Sequence, residues 1–246
     1  MQVSVTVITL NESAQIEKML ASVAWAAEVV VVDCGSSDGT PQLANKKNVR
    51  VLHHEFSDFG SQKNYAHAQA SSDWILNLDA DEICSPELAK EIQALPENGA
   101  SAYAMRRKNF FQGKWIRHSG WNPDYKVRLY RKSEGAWIGK VHESFRLKNH
   151  EQVPQLNGWI EHNSYRGFER YLETVTRYAK LAALQMQEQG RTASFADIVI
   201  RPPAVFFKKL VLQAGVLDGS QGFIIAALSA YGTFIRYAML RELTSK

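Results

Sequence analysis

The run WILNLDADEI, residues 74–83, leads an apolar stretch into three acids, Asp79, Asp81 and Glu82. Carboxylates one residue apart at the end of a buried strand repel one another unless a cation lies between them. Hard divalent ions such as Mg2+ or Mn2+ choose oxygen ligands, so Asp79 and Asp81 form a candidate metal site of the kind that clamps a diphosphate. The alternative is a solvated loop start ahead of the helix expected in SPELAKEIQAL. Other polar residues gather just after apolar runs: Thr9, Asn11 and Glu12 close VSVTVITLNE, Asp33 and the turn CGSSDGT follow AEVVVV, and Lys63 stands in SQKNYA. Each set also reads as turn or helix-cap chemistry, because Asn, Asp and Ser favour such positions for local reasons. Further on, SAYAMRRKNFFQGKWIRHSGWNPDYKVRLYRK holds Arg106, Arg107, Arg117, His118, Trp121, Asp124 and Arg128 among aromatics. That mixture suits an anionic, saccharide-bearing acceptor, or else core and loop packing. His162, in GWIEHNSY, is either a third metal ligand or diphosphate contact, as neutral imidazole can be, or a hydrogen-bonded core histidine.

An α/β frame must position these residues. VSVTVITL and AEVVVVDCG are β-branched runs suited to strands buried on both faces of a parallel sheet. Between them, NESAQIEKMLASV places Ile16, Met19, Leu20 and Val23 on one helical face, which makes a βαβ unit with a right-handed crossover. SSDGTPQLANKK opens a second helix, VRVLHHE gives a third strand, SQKNYAHAQA a third helix and DWILNLDADE a fourth strand. The alternation predicts an open, Rossmann-like and mostly parallel sheet flanked by helices, with ligands beyond the carboxyl ends of the strands. Thr9, Glu12, Asp33, Asp79 and Asp81 should then face one crevice.

Composition bounds the remaining possibilities. A chain of 246 residues, 45% hydrophobic and 22% charged, can bury the core of one large domain, or of one domain plus an appendage. Cys34 and Cys84 form no CxxC pair, so neither a zinc site nor a disulfide framework is indicated and a reducing cytosol fits. The opening MQVSVTVITLNE reads as a strand rather than a secretory signal. Residues 201–246 hold six cations against two acids, a surplus equal to the net +4 of the whole chain, so the first 200 residues balance. A nucleic-acid reader would carry its basic residues across the main fold, and none is expected here.

The last third changes character. FERYLETVTRYAKLAALQMQEQG predicts a long amphipathic helix ending at Gly190, followed by a break at Pro202-Pro203. The uncharged stretch 220–235 falls short of the roughly 20 residues that span a bilayer. Two amphipathic helices lying in the headgroup region, flanked by Lys208, Lys209, Arg236 and Arg241, are expected instead, with a hairpin packed on the protein or across a dimer as the alternative. The division expected is a catalytic domain over 1–165 and a helical, membrane-associating region over 166–246.

VTVITLNE, VVVVDCGSSDGT, SQKNYA and WILNLDADE resemble, in order and spacing, the amino-terminal half of family 2 inverting glycosyltransferases with the GT-A fold. The resemblance covers residues 1–90 most closely and carries several implications. Thr9 and Glu12 would hold the nucleotide and Asp33 the uracil of a UDP-sugar. Asp79 and Asp81 would bind Mg2+ or Mn2+ and meet the donor, while Lys63 would touch a phosphate or donor, or else be an exposed helix lysine. The VHE of residues 141–143 resembles a subgroup that includes lipopolysaccharide inner-core β-1,4-glucosyltransferases. Glu143 would then remove the acceptor proton, with Asp124 as its rival, and His142 stands where many relatives carry an acid. The acceptor implied is a lipid-linked saccharide, such as the heptose of a lipopolysaccharide core, met at the cytoplasmic face of the membrane, and the sugar implied is glucose. A catalytically inactive scaffold would have little reason to keep Asp33, Asp79, Asp81 and Glu143 together.

Overall fold

The computed structural model describes residues 1–139, 143–149, 152–165 and 168–245, with the backbone alone for Ser164, Tyr165 and Arg170. The chain forms two compact units, one of Met1–Lys108 with Asp124–His162 and the other of Asn109–Pro123 with Asn163–Lys246. The segment Asn109–Pro123, assigned by sequence to the first domain, thus packs with the second unit.

In chain order the first unit opens with β1 (Val3–Thr9), α1 (Ile16–Ser22), β2 (Glu28–Asp33), α2 (Thr40–Ala44), β3 (Val49–His53), α3 (Phe59–Gln69) and β4 (Trp74–Asp79). It continues with β5 (Glu82–Cys84), α4 (Pro86–Gln93), β6 (Ala102–Phe111), β7 (Lys114–Trp115), β8 (Tyr125–Arg131), β9 (Gly135–Ile138), β10 (Ser144–Leu147) and β11 (Gln155–Tyr165), of which β7 and the ends of β6 and β11 belong to the second unit. The main sheet runs β3-β2-β1-β4-β8-β6-β11-β5, and β9 pairs with β10 separately. It is parallel through β3, β2, β1 and β4 and antiparallel where β8 joins β4, where β6 joins β8 and where β11 joins β5.

The unbroken apolar runs are explained by burial on both faces. Successive side chains of a strand point to opposite sides. In β2, Val29 and Val31 belong to one buried cluster with Ile16, Met19 and Leu20 of α1 and Leu88 and Ile92 of α4. Val30 and Val32 enter a second cluster with Ala66 of α3. Each such valine contributes roughly 1.5–3 kcal/mol relative to exposure, so neither face tolerates a polar alternation. Local caps fix the helix starts: Asp58 accepts from the N–H of Ser61 at 2.8 Å ahead of α3, and Ser85 from that of Leu88 at 3.1 Å ahead of α4.

The second unit is built on α5 (Phe168–Glu188), α6 (Phe195–Phe207) and α7 (Ser220–Thr244). Tyr171 of α5 meets Phe111, Ile116, Ile225 and Leu228, and Ala183 and Met186 meet Tyr237 and Leu240. Gly232 lets α5 and α7 approach closely, since a Cβ there would lie 2.8 Å from Cγ1 of Val175. The expected break at Pro202-Pro203 does not occur, and both prolines lie inside α6. Prolines at these positions deprive the carbonyls of Ile198 and Val199 of donors, but no residue of α6 is buried and water can satisfy them. A π turn (Lys208–Leu212) and a 3-10 turn (Gly215–Asp218) link α6 to α7. The charges at Arg236 and Arg241 do not end α7, whose 25 residues are long and apolar enough to cross a membrane by length and composition.

Candidate active site

Strand register brings three of the expected residues level. Thr9 stands opposite Asp33 across β1 and β2, and Ile8 opposite Asp79 across β1 and β4. The hydroxyl of Thr9 donates to Oδ2 of Asp33 at 2.9 Å, and the hydroxyl of Ser36 to the same oxygen at 2.5 Å. The N–H groups of Gly35 and Ser36 donate to Oδ1 at 2.9 and 2.8 Å. A carboxylate has about four acceptor positions, and Asp33 spends three on its own turn and the fourth on Thr9 of β1. Burial pushes its carboxyl up, but the Ser36 and Gly35 bonds outweigh that and hold it below the usual range. The loop after β1 is stitched to the same turn: Asn11 N–H donates to Ser36 Oγ at 2.8 Å, Ser37 N–H to Asn11 Oδ1 at 2.9 Å, and Glu12 N–H to Thr40 Oγ1 at 2.8 Å.

Two of the three acids that close β4 are answered by cations within the first unit. Asp79 Oδ1 lies 2.8 Å from Lys63 Nζ and its Oδ2 accepts from Arg128 Nη2 at 2.6 Å. Glu82 Oε1 accepts from Arg128 at 2.7 Å and Arg107 at 3.3 Å, while its Oε2 takes the N–H of Asp79 at 3.0 Å. Arg128 also donates to Oδ1 of Asn77 at 3.2 Å. Burial alone would push the Asp79 carboxyl up, but Arg128 and Lys63 hold it well below the usual range. Glu82 is lowered too, since Arg128 and Arg107 outweigh its burial and the repulsion of Asp79. Asp124 closes the chain of charges, paired with Arg107 at 2.8 Å and Lys126 at 3.2 Å.

Lys63 is neither an exposed helix lysine nor turned to solvent. It is 1% exposed, its ammonium is 2.8 Å from both Asp79 and Glu143, and it lies 4.6 Å from the centre of the Trp137 ring. One turn earlier on α3, Gly60 passes so near the chain after β9 that an added Cβ would sit 2.5 Å from the carbonyl oxygen of Gly139. His142 lies outside the described residues.

Asp81 is the acid left over. Ala80 and Asp81 make the turn between β4 and β5, and among the described residues no lysine or arginine pairs with Asp81. Its Oδ2 is 3.5 Å from Nε2 of His162, which the β11–β5 register sets opposite Glu82. Burial raises the Asp81 carboxyl; His162 opposes that, and Asp79, Glu82 and Glu12 reinforce it. Burial likewise lowers His162 against the pull of Asp81. A carboxylate with no lysine or arginine partner among the described residues, beside an imidazole, fits the donor chemistry of a divalent cation such as Mn2+ or Mg2+. No group of three protein ligands occurs among the described residues, and Asp79 points both oxygens at cations of its own chain.

The structure therefore sorts the expected residues into three sets: Thr9 with Asp33, Lys63 with Asp79 and Glu143, and Asp81 with His162 and, at longer range, Glu12. Asp124 joins the second set through Arg107, Glu82 and Arg128. The binding role of Arg128, 4% exposed, is taken up inside the protein rather than by an acceptor. Strand alternation in YKVRLYR gave no signal for it, because Arg128, Leu129 and Tyr130 are buried in succession. Arg117, His118 and Trp121 belong to the second unit.

A family model described as "Glycosyl transferase family 2" matches residues 4–173. The chain is 27% identical over its full length to an uncharacterized glycosyltransferase of Rickettsia typhi, covering 88% of it. It is 28% identical to the lipopolysaccharide core biosynthesis glycosyltransferase LpsC of Rhizobium meliloti, over 97% of this chain and 92% of that one. Among solved structures, S. aureus TarS 1-349 in complex with UDP-GlcNAc is similar in fold, with a TM-score of 0.50 at 19% identity over 98% of this chain and 91% of that one.

Proposed function

This chain belongs to glycosyl transferase family 2, and from that premise we propose that it moves a sugar, glucose by our reading, from a UDP-sugar to a lipid-linked saccharide with inversion at the anomeric carbon. The acceptor we propose is the heptose region of a lipopolysaccharide inner core, met at the inner face of the cell membrane. Similarity to LpsC along nearly the whole chain supports the acceptor class. The observation that carries the reaction is the acid turn after β4, where Asp79 and Glu82 are neutralised from within and Asp81 stands free beside His162.

In this reading the loop after β1, with Thr9 and Glu12, and the turn fastened by Asp33 form the nucleotide cradle. Asp81 and His162 would hold the divalent ion, which would supply neutralisation of the charge that grows on the departing diphosphate. Glu143 takes the proton of the acceptor hydroxyl onto its carboxylate while that oxygen forms a bond to the anomeric carbon. The bond from that carbon to the diphosphate breaks on the opposite side and UDP leaves with the electron pair. Lys63, 2.8 Å from Glu143 and from Asp79, orients both acids, and Asp124 is left to steady Arg107.

UDP release from a panel of UDP-sugars, with Mn2+ or EDTA and with intact or deacylated lipopolysaccharide cores, tests the proposal. Release that requires metal, one donor and one truncated core is the expected result. Absence of turnover with every pair, despite metal-dependent UDP binding, would sink the reaction proposed.

A further inference from the structure

The outward side of α6 and of the turns after it is apolar, the reverse of an ordinary surface helix. Val199, Ile200, Phe207, Val211, Leu212 and Leu217 are all exposed, Leu212 to 81% and Leu217 to 68%. Within α6 and the π turn they recur at helical intervals, so they form a stripe rather than scattered side chains. Isolated exposed leucines are ordinary, but a continuous apolar surface marks an interaction site.

Charge selects the partner. From Ile198 to Arg241 the one acid in the sequence is Asp218, and it is buried. Lys208 is exposed within the stripe; Arg201, paired with Asp197 at 2.6 Å, and Arg241 flank it, stacked over Tyr237 and Phe195. A second copy docked through the same face would bring like cations together. An anionic bilayer surface offers hydrocarbon to the stripe and headgroup charge to its border. A spanning α7 fits less well, because α5 packs along it and carries Glu169, Glu173, Arg177 and Lys180, charges that are costly in hydrocarbon.

We propose that this stripe is a docking surface for an anionic bilayer, with α6 and the two turns lying in the plane of the interface. The inference rests on the reading of the acceptor as lipid-linked and names the part of the chain that meets the lipid. The turn is not loosely hung. Asp218 accepts from the N–H groups of Arg117 and His118 at 3.0 and 3.1 Å and from the hydroxyl of Ser119 at 2.9 Å. Lys114 donates to the Asp218 carbonyl at 2.7 Å, and Lys209 to that of Ser119 at 3.0 Å. The lipid-facing turn and residues 114–119 are therefore one piece within the second unit.

Flotation of the full chain with phosphatidylglycerol-containing vesicles, with pure phosphatidylcholine vesicles as comparison, tests the surface. The full chain is expected to float with the anionic vesicles and far less with the neutral ones. Leu212→Asp and Phe207→Asp should each lower partition by roughly tenfold or more, as expected for withdrawing one large apolar side chain, with an unchanged circular dichroism spectrum. UDP release with a deacylated core should not change in either variant, so loss of vesicle binding and loss of the proposed transfer are read separately. Absence of vesicle binding, or binding indifferent to both substitutions, would overturn the proposal. A wild-type dimer that Leu212→Asp converts to monomer without any lipid binding would overturn it in favour of a second copy.

Discussion

Asp79, Asp81 and Glu82 are equivalent as sequence and opposite as chemistry. Arg128 bridges Asp79 and Glu82 from inside the sheet, so replacing it leaves two acids without their shared cation. Loss of one partner of a buried ion pair costs about 3–5 kcal/mol, and Arg128→Met is expected to lower the melting temperature sharply and to abolish transfer with it. Asp81→Asn should do the reverse. Burial and three neighbouring acids already strain its carboxylate, so removing the charge should leave thermal stability equal or higher, while metal-dependent UDP release falls by more than about tenfold. Paired melting and turnover measurements on the two variants check both statements. A strand that ends in acids was legible in the sequence; which acid remains free was not, because Lys63 and Arg128 come from 16 residues before and 49 residues after Asp79 in the chain.

At the level of elements, β1, β2 and β4 were readable because they are buried on both faces and rich in β-branched or apolar residues, and β3, at the sheet edge, because its valines alternate with exposed Arg50. The three residues of β5 were not, since its pairing with β11 joins Cys84 to Ile160 across a gap no local pattern spans. The proline pair misled because both prolines lie inside α6, where no residue is buried and water can take the freed carbonyls. The segment Asn109–Pro123 groups with the second unit, and its anchor is distant. Asp218 lies a hundred residues from His118, to whose ring nitrogen Nδ1 it stands 3.2 Å away. Removing that anchor leaves buried donors without an acceptor, at about 1–3 kcal/mol. Asp218→Ala should lower the urea midpoint and speed tryptic cleavage after Arg117; unchanged protection of that bond would remove Asp218 as the tie.

The molecule as a whole separates its charges by role. The first 200 residues balance, and the surplus of +4 falls entirely in the last 46. Asp79 and Glu82 of the acid turn are paired at short range, whereas Lys208 and its neighbours meet solvent, where screening acts within about 8 Å at physiological salt. Raising salt should therefore release the full chain from anionic vesicles while leaving UDP release with a deacylated core nearly constant, a pair of titrations that one preparation can supply. The neutrality of the first 200 residues has a further consequence. Residence at the lipid surface and turnover number answer to different stretches of the chain, so selection could retune how long the protein stays at a membrane of altered lipid content without touching a residue that handles the sugar.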